Sequence, residues 1–364
     1  MQHSFPVATH DIILIGASAG GVEAITALVA EFPRDLRASV FVVLHLARGR
    51  SVLPDILTRA GKLKAAHPID GEPLQYGRIY VAPPDHHMTL ESNRVRVLHG
   101  PTENGVRPAV DPLFRSAARV YGPRVVGVIL TGSLDDGTAG LAAVKQADGI
   151  AVVQDPDEAF APSMPRSALA AVRVDHVLPL REIAVLLRNL TLEDAQERPG
   201  SPQHGPHLRQ LEPDLGRPGV AVKPEDRPGE LGVFSCPECH GVLWETDEGG
   251  VLRFRCRVGH VYSADSMLAA QTDSVDRALW AALRSLEERA ALTKKMADRA
   301  RAREQHWVAR AFEERSEIAT DHASVVRELL VHRTVAHVVP DHSVSGEAAQ
   351  TPDVPHEDPA EKIQ

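Results

Sequence analysis

Ser18 stands in the run Gly16-Ala17-Ser18-Ala19-Gly20-Gly21, directly after the apolar stretch Ile12–Ile15. Small residues on both sides let a chain leaving a strand turn sharply and hold a hydroxyl at the edge of a sheet. A helix from about Val22 would bring unpaired backbone N–H groups and the positive end of its dipole to that hydroxyl. Both stabilise an oxyanion, with Ala19 and Gly20 as the nearest backbone donors. Gly16, Ser18 and Gly21 also fit a degenerate dinucleotide fingerprint, so the turn alone reads equally well as an esterase or a nucleotide site. Two features count against nucleotide. Serine replaces the glycine that lets backbone approach a pyrophosphate, and His45 stands where an acidic residue would hold a ribose.

His45 ends the second apolar run, Phe41-Val42-Val43-Leu44. In a parallel sheet it shares an edge with Ser18, where an imidazole can take the serine proton and later return one to a leaving group. The run Val128 to Gly137 reads as strand, loop and helix start, and carries Asp135 and Asp136. Asp136 could fix the His45 tautomer, cap the next helix, or do both. Three groups with complementary roles thus end three expected strands, the edge where open α/β sheets place their sites.

A second chemistry-bearing cluster lies further on. Cys236-Pro-Glu-Cys239, then Cys256 and His260, give C-x2-C-x16-C-x3-H, and no other cysteine occurs. Two such turns can close a tetrahedral zinc site, with His240 as an alternative fourth ligand. Four protein ligands leave no open position, so the zinc would be structural, with Trp244 and Phe254 in a small core around it.

The elements that must position these groups follow from the pattern of apolar runs. Asp11–Ile15, Ser39–Leu44, Arg78–Ala82, Val125–Leu130 and Ile150–Gln154 read as buried strands between helical stretches, and Arg94–Leu98 as half of a hairpin. This predicts an α/β fold with a doubly wound, mostly parallel sheet over residues 1–192. A Pro/Gly-rich linker is expected at 193–230, a Cys3His zinc-ribbon-like module at 231–262, a helical segment at 263–336 and a disordered acidic tail at 337–364. Val275, Leu279, Leu283 and Leu286 recur at helical spacing, and an antiparallel helix pair or a homodimer through these helices would both explain them.

The chain of 364 residues carries a formal net charge of −9 with both signs mixed, which gives no footing for a nucleic-acid partner. The N-terminal residues lack a basic start and an apolar run, and no stretch suits membrane insertion. Three clustered cysteines fit a reducing cytoplasm better than a disulfide framework.

From about Asp11 to Leu190 the sequence resembles the catalytic domain of the bacterial chemotaxis protein-glutamate methylesterases, the CheB family. The resemblance rests on Gly16–Gly21, on His45 with Ala47-Arg48-Gly49, and on Tyr80-Val-Ala-Pro-Pro-Asp-His-His-Met88. It continues through Arg107-Pro-Ala-Val-Asp-Pro-Leu-Phe114, Leu130–Gly137, Gln154-Asp-Pro156 and Ser163-Met-Pro-Arg166. It implies a catalytic triad of Ser18, His45 and Asp136, no cofactor in catalysis, and a methylated chemoreceptor or similar signalling protein as partner. Hydrolysis of γ-glutamyl methyl esters and deamidation of selected glutamines are the implied reactions. Ala19 replaces a threonine usual after the nucleophile, and Ser133-Leu134 replaces Met-Gly in the loop before the acid. The backbone of Ser133 takes the place of the methionine thought to help form the oxyanion hole. His87 and Met88, with Asp85 and His86, match a loop near the catalytic edge and are expected in the substrate cleft. Since the catalytic strand starts near residue 11, no phosphorylated receiver domain is expected ahead of it. The rival reading is a catalytically weak scaffold of chemotaxis-like signalling that acts through its zinc and helical segments.

Overall fold

The computed structural model describes residues 9–45, 49–195 and 229–338, so most of the expected linker and tail lie outside the described residues. Two compact units are present, Met1–Ser274 and Val275–Gln364.

The first unit opens with β1 (Ile12–Ala17), α1 (Gly21–Ala30), β2 (Ser39–Leu44), α2 (Leu53–Ala60), β3 (Lys64–Ala66) and β4 (Arg78–Val81). A hairpin of β5 (His87–Glu91) and β6 (Arg94–Leu98) follows, then α3 (Val110–Tyr121), β7 (Val125–Ile129), α4 (Thr138–Gln146), β8 (Ile150–Gln154), α5 (Ser163–Ala171), β9 (His176–Leu178) and α6 (Leu180–Leu190). Seven strands form one parallel sheet in the order β3-β4-β2-β1-β7-β8-β9. The chain works outward on one side of β1 and then returns to its other side at β7. The point of reversal therefore lies at β1, where such sheets open a crevice beyond their carboxyl ends.

Both faces of this sheet are covered, which is why its central strands read as unbroken apolar runs rather than alternating ones. Ile13, Ile15 and Ala17 face α1, α2 and α6 through Ile25, Leu28, Leu57 and Leu187. Ile12 and Leu14 face the other way, toward Val110, Leu113 and Phe114 of α3 and toward the hairpin. Each such fully buried aliphatic side chain contributes about 1.5–3 kcal/mol. Gly16 is required by close packing, since a Cβ there would lie 2.6 Å from Val110 Cγ1.

A separate antiparallel sheet joins β10 (Glu230–Ser235), β11 (Val242–Glu248), β12 (Val251–Cys256) and β13 (Val261–Ser263). Helix α7 (Ala264–Arg301) starts at the next residue. The core of this small sheet is Leu243, Phe254, Tyr262, Met267 and the cysteines. Trp244, expected there, falls outside it, because alternation along β11 turns Leu243 inward and Trp244 to the other face.

In the second unit, the rest of α7 packs against α8 (His306–Val338). Leu283, Ala323 and Leu330 form the seam, supported by Leu279 and Leu286. The ion pairs Arg301–Glu313 and Arg327–Glu287 run in opposite senses along the two helices, so the pair is antiparallel. Val275 stays exposed. Among the described residues no helix is long and apolar enough to cross a membrane.

Candidate active site

Ser18 and His45 are the residues that follow the register pair Ala17↔Leu44 of β1 and β2. The His45 N–H donates to Ala17 O at 3.3 Å, so the imidazole is held one strand over from the serine turn. On the other side of β1, Ser18 N–H donates to Thr131 O at 3.0 Å, which ties the serine to the loop after β7. The two loops meet closely. A Cβ on Gly132 would lie 2.9 Å from Ser18 Cβ and 2.0 Å from Met164 Sδ, so only glycine fits. Gly20 sits in the left-handed region at φ 74°, and the chain then enters α1. The first N–H groups of that helix have no intrahelical acceptor and point toward the serine end. Thr131 braces the whole corner. Its Oγ1 donates to Ala19 O at 2.9 Å and accepts from Ala161 N–H at 2.8 Å, and its own N–H donates to Gln154 Oε1 at 2.9 Å.

His45 Nε2 lies 2.7 Å from Asp136 Oδ2. Asp136 is 3% exposed and sits at the N-terminus of α3. Val110 N–H donates to Oδ2 at 2.7 Å; Asn104 Nδ2 and Asp111 N–H donate to Oδ1 at 2.9 and 3.4 Å. Burial alone would raise this carboxyl, but the bond to His45 and its charge, with Val110 and Asn104, outweigh burial and hold it at about 2. An ionised Asp136 accepts from Nε2–H, and a neutral imidazole held in this way would carry its lone pair on Nδ1. That nitrogen is the one left to act on the serine side.

Neighbouring acids divide the labour. Asp135 accepts from Ser263 Oγ at 2.7 Å, and burial pushes it up to about 6. Of the two jobs open to Asp136, capping α4 belongs instead to Asp111 of α3, whose Oδ1 accepts from Gly137 N–H at 3.1 Å and Gly140 N–H at 2.7 Å. Leu134, in the loop before the acids, adopts φ 61° and is 40% exposed. A branched residue held there marks backbone fixed by its surroundings. Ser133 beside it is exposed at the mouth of the same loop.

The expected cleft residues go elsewhere. Met88 is fully buried in the core under the hairpin. His87 is 1% exposed, with Nε2 2.8 Å from Pro101 O and Nδ1 accepting from Ala109 N–H at 3.2 Å. Burial lowers its pKa, which keeps the ring neutral and suits this donor–acceptor pair. Strand alternation and a satisfied ring make both structural. Asp85 is engaged by Arg107 at 2.7 Å.

At the small sheet, Cys236, Cys239, Cys256 and His260 bring their ligand atoms within 4.8 Å of one another. Cys236 Sγ and Cys256 Sγ each lie 3.5 Å from His260 Nδ1, and Cys239 Sγ lies 3.6 Å from Cys256 Sγ. A tetrahedral zinc with ordinary bond lengths would need about 3.6 Å from sulfur to nitrogen and about 3.8 Å between sulfurs. Both knuckles use left-handed residues, His240 at φ 58° and Gly259 at φ 107°. His240 thereby forms the turn rather than joining the cluster. His260 Nε2 faces Glu238 Oε2 at 3.4 Å, the outer carboxylate that commonly orients a metal-bound imidazole.

Sequence reasoning missed Asn104, and it quoted Asp111, Thr131 and Gln154 within motifs without giving them roles. Asn104-Gly105 reads as a turn and nothing more. Asp111 sits in a helix first turn, where acids are common.

The CheB methylesterase profile matches residues 13–187. A Leptospira interrogans chain assigned as a protein-glutamate methylesterase/protein-glutamine glutaminase is 37% identical over 191 residues, covering 52% of this chain and 99% of that one. Protein-glutamate methylesterase/protein-glutamine glutaminase 2 of Anaeromyxobacter dehalogenans is 39% identical over 182 residues, 50% of this chain and 53% of the relative. Among solved structures, the Thermotoga maritima CheB methylesterase catalytic domain aligns with 32% identity and a TM-score of 0.48, over 50% of this chain and 98% of that chain. With nearly the whole Leptospira relative matched, this chain belongs to the CheB methylesterase family.

Proposed function

We propose that the chain is a serine esterase that hydrolyses γ-glutamyl methyl esters, and deamidates selected glutamines, on methylated chemoreceptor-type proteins. The observation that carries this reading is the His45–Asp136 pair at 2.7 Å, set beside Ser18 at the reversal point of the sheet. Ser18 Oγ attacks the δ-carbonyl of the modified glutamate while His45 Nδ1 takes its proton. Asp136 stabilises the imidazolium and keeps its own charge. The oxyanion is received by N–H groups at the start of α1, around Ala19 and Gly20, and by the backbone about Ser133. His45 then gives the proton to the departing methoxide, or to the amine of a glutamine substrate, and methanol or ammonia leaves. Water, deprotonated by the same imidazole, hydrolyses the glutamyl-serine ester. Both substrates pass through one type of tetrahedral intermediate, so one site serves both.

The dinucleotide reading loses support, because Ser18 is packed against Gly132 on a closed corner and His45 is held by a carboxylate. Matches to relatives named for enzymatic activity favour catalysis over the scaffold reading.

The four Cys and His side chains suit one zinc ion as a structural support, a reading favoured by their near-tetrahedral spacing and by Glu238 behind His260. Bound zinc would supply folding energy to a small sheet with a core of few residues. A reducing cytoplasm agrees with the three unpaired cysteines.

The test is methanol release from a methyl-esterified receptor fragment by the full chain. Ser18→Ala should reduce release to background; release at the wild-type rate would overturn the assignment.

A further inference from the structure

The sheet β10–β13 is joined to the α/β layer through a seam of backbone and side-chain bonds. Asn104 N–H donates to Val261 O at 2.7 Å, Val261 N–H donates to Thr102 O at 3.3 Å, and Glu103 bridges Val261 in parallel register. Residues 102–104 thus lie alongside β13 through a single parallel bridge. Next to this seam, Ser263 N–H and Ser266 Oγ both donate to Asn104 Oδ1, at 3.0 and 3.1 Å. With its oxygen committed in this way, the amide has a single orientation. Its Nδ2 faces two carboxylates, Asp136 Oδ1 at 2.9 Å and Asp111 Oδ2 at 3.1 Å.

The same sheet delivers a charge to this place. Arg253 of β12 is 1% exposed, and its Nη1 binds Asp111 Oδ2 at 2.7 Å while Nη2 binds Glu103 Oε2 at 3.3 Å. Asp111 and Asp136 are neighbouring buried acids, and each disfavours ionisation of the other. A guanidinium on Asp111 offsets the second negative charge next to the triad acid. Arg115 of α3 closes the network on Glu103 at 2.7 Å. Behind Arg115 and Glu103 stand Glu248 and Arg255 of the small sheet, and the charged and titratable groups around Asp136 itself are therefore His45, His87, Asp111, Asp135, Glu103, Arg115 and Arg253. The last belongs to the small sheet.

We infer that the sheet β10–β13, with the first turn of α7 that continues it, is a working part of the esterase centre: through the Ser263 N–H and the Ser266 hydroxyl it aims Asn104 at Asp136, and through Arg253 it balances Asp111. Asn104, Ser263, Ser266 and Arg253 are positioning residues, since none needs to touch substrate. The inference rests on the Ser18–His45–Asp136 assignment. It also gives the Cys/His cluster a route to the chemistry. Glu238, behind His260, accepts from Tyr262 OH at 2.8 Å and from Thr102 Oγ1, the first residue of the seam.

The experiment compares the wild-type chain with Ser266→Ala, which removes the hydroxyl donor on Asn104 Oδ1, with Asn104→Leu, which removes the amide, and with Ser18→Ala. Methanol release from a methyl-esterified receptor fragment is followed from pH 5 to 10, beside the rate at which a fluorophosphonate labels Ser18. Ser266→Ala should lose up to about tenfold in kcat with little change in KM, the weakening of one hydrogen bond to a charged group through the amide that makes it. Its labelling rate should fall in step. The acid limb of kcat/KM should move up by about half a pH unit, because an amide with one of its two fixing donors gone bonds Asp136 Oδ1 less firmly, and the carboxylate then holds the His45 proton more tightly. Asn104→Leu is close in size and removes the donor to Asp136 Oδ1 outright, so its limb should move up further; this variant decides the matter if Ser266→Ala unfolds. Unchanged pH profiles and rates in folded variants, with Ser18→Ala inactive, overturn the role of the small sheet alone. An active Ser18→Ala overturns the triad reading and this inference with it.

Discussion

Replacing Asp136 by asparagine tests the central geometry with almost no change in shape. Asp136 uses both oxygens as acceptors, Oδ2 for His45 Nε2–H and Val110 N–H, and Oδ1 for Asn104 Nδ2 and Asp111 N–H. An asparagine must put its NH2 on one of these sides. On the Oδ1 side it opposes two donors. On the Oδ2 side it opposes Val110 N–H and forces His45 to accept at Nε2, which moves the imidazole proton to Nδ1. The base then has no lone pair for the serine proton. A wrong tautomer of this kind costs about 10⁴-fold in kcat in serine hydrolases, about 5.5 kcal/mol of barrier. The measurement is single-turnover methanol release from a methyl-esterified receptor fragment, with circular dichroism and a denaturant midpoint to confirm folding. A folded Asp136→Asn protein that keeps more than about a tenth of the wild-type kcat would refute the reasoning.

Further outcomes follow from the same packing and charge. Gly132→Ala places a Cβ 2.0 Å from Met164 Sδ and 2.9 Å from Ser18 Cβ, so overpacking should cost about 1–3 kcal/mol by denaturant midpoint, with activity falling as Ser18 is displaced. Asp136 and Glu103 are both held near 2, the latter because Arg115 and Arg253 outweigh its burial. Depressed carboxylates stabilise the fold above their unfolded pKa, so stability should fall as pH drops from about 4.5 through 2 in unfolding curves at stepped pH. Asp135 is the opposite case. Burial raises it to about 6, so the fold holds its proton more tightly and pays for ionisation as pH rises from about 4 through 6. Asp135→Asn should therefore stabilise at pH 7 on the order of 2 kcal/mol, with the gain gone below about pH 4. The full chain should carry one zinc by elemental analysis, and Cys256→Ser should lose it together with thermal stability.

The sheet and its reversal point were legible because every central strand is buried on both faces, and burial on both faces writes an unbroken apolar run. The hairpin was legible from alternation in Arg94–Leu98. Ser18, His45 and Asp136 could be placed on one edge by counting strand ends, since a parallel sheet leaves little freedom there. What the sequence did not carry was direction across the pleat. Met88 and His87 sit at the right end of the right loop, yet β5 turns Met88 into the core and folds His87 under α3. Trp244 failed for the same reason, one residue out of phase with Leu243. Asn104 was invisible because its role depends on Ser263 and Ser266, more than 150 positions away. A side chain whose meaning comes from such distant partners leaves no local pattern to read.

The environment of Asp136 also bears on how the proposed triad would work. A carboxylate has about four lone-pair sites, and here four donors face them, from His45, Val110, Asn104 and Asp111. An acid so completely satisfied, and held near 2, does not take the imidazole proton at any pH where the enzyme would act. Its part is electrostatic: a fixed negative charge at the far side of His45 that is strongest when the imidazolium forms. Each donor that spreads this charge also lowers how hard Asp136 pulls on the proton. The number of donors therefore trades base strength in His45 against rigidity in the acid. Two of the four come from the start of α3, and one, Asn104, is set by the small sheet. That is why a change in the small sheet should register first in the acid limb of the pH profile, before it registers in substrate binding.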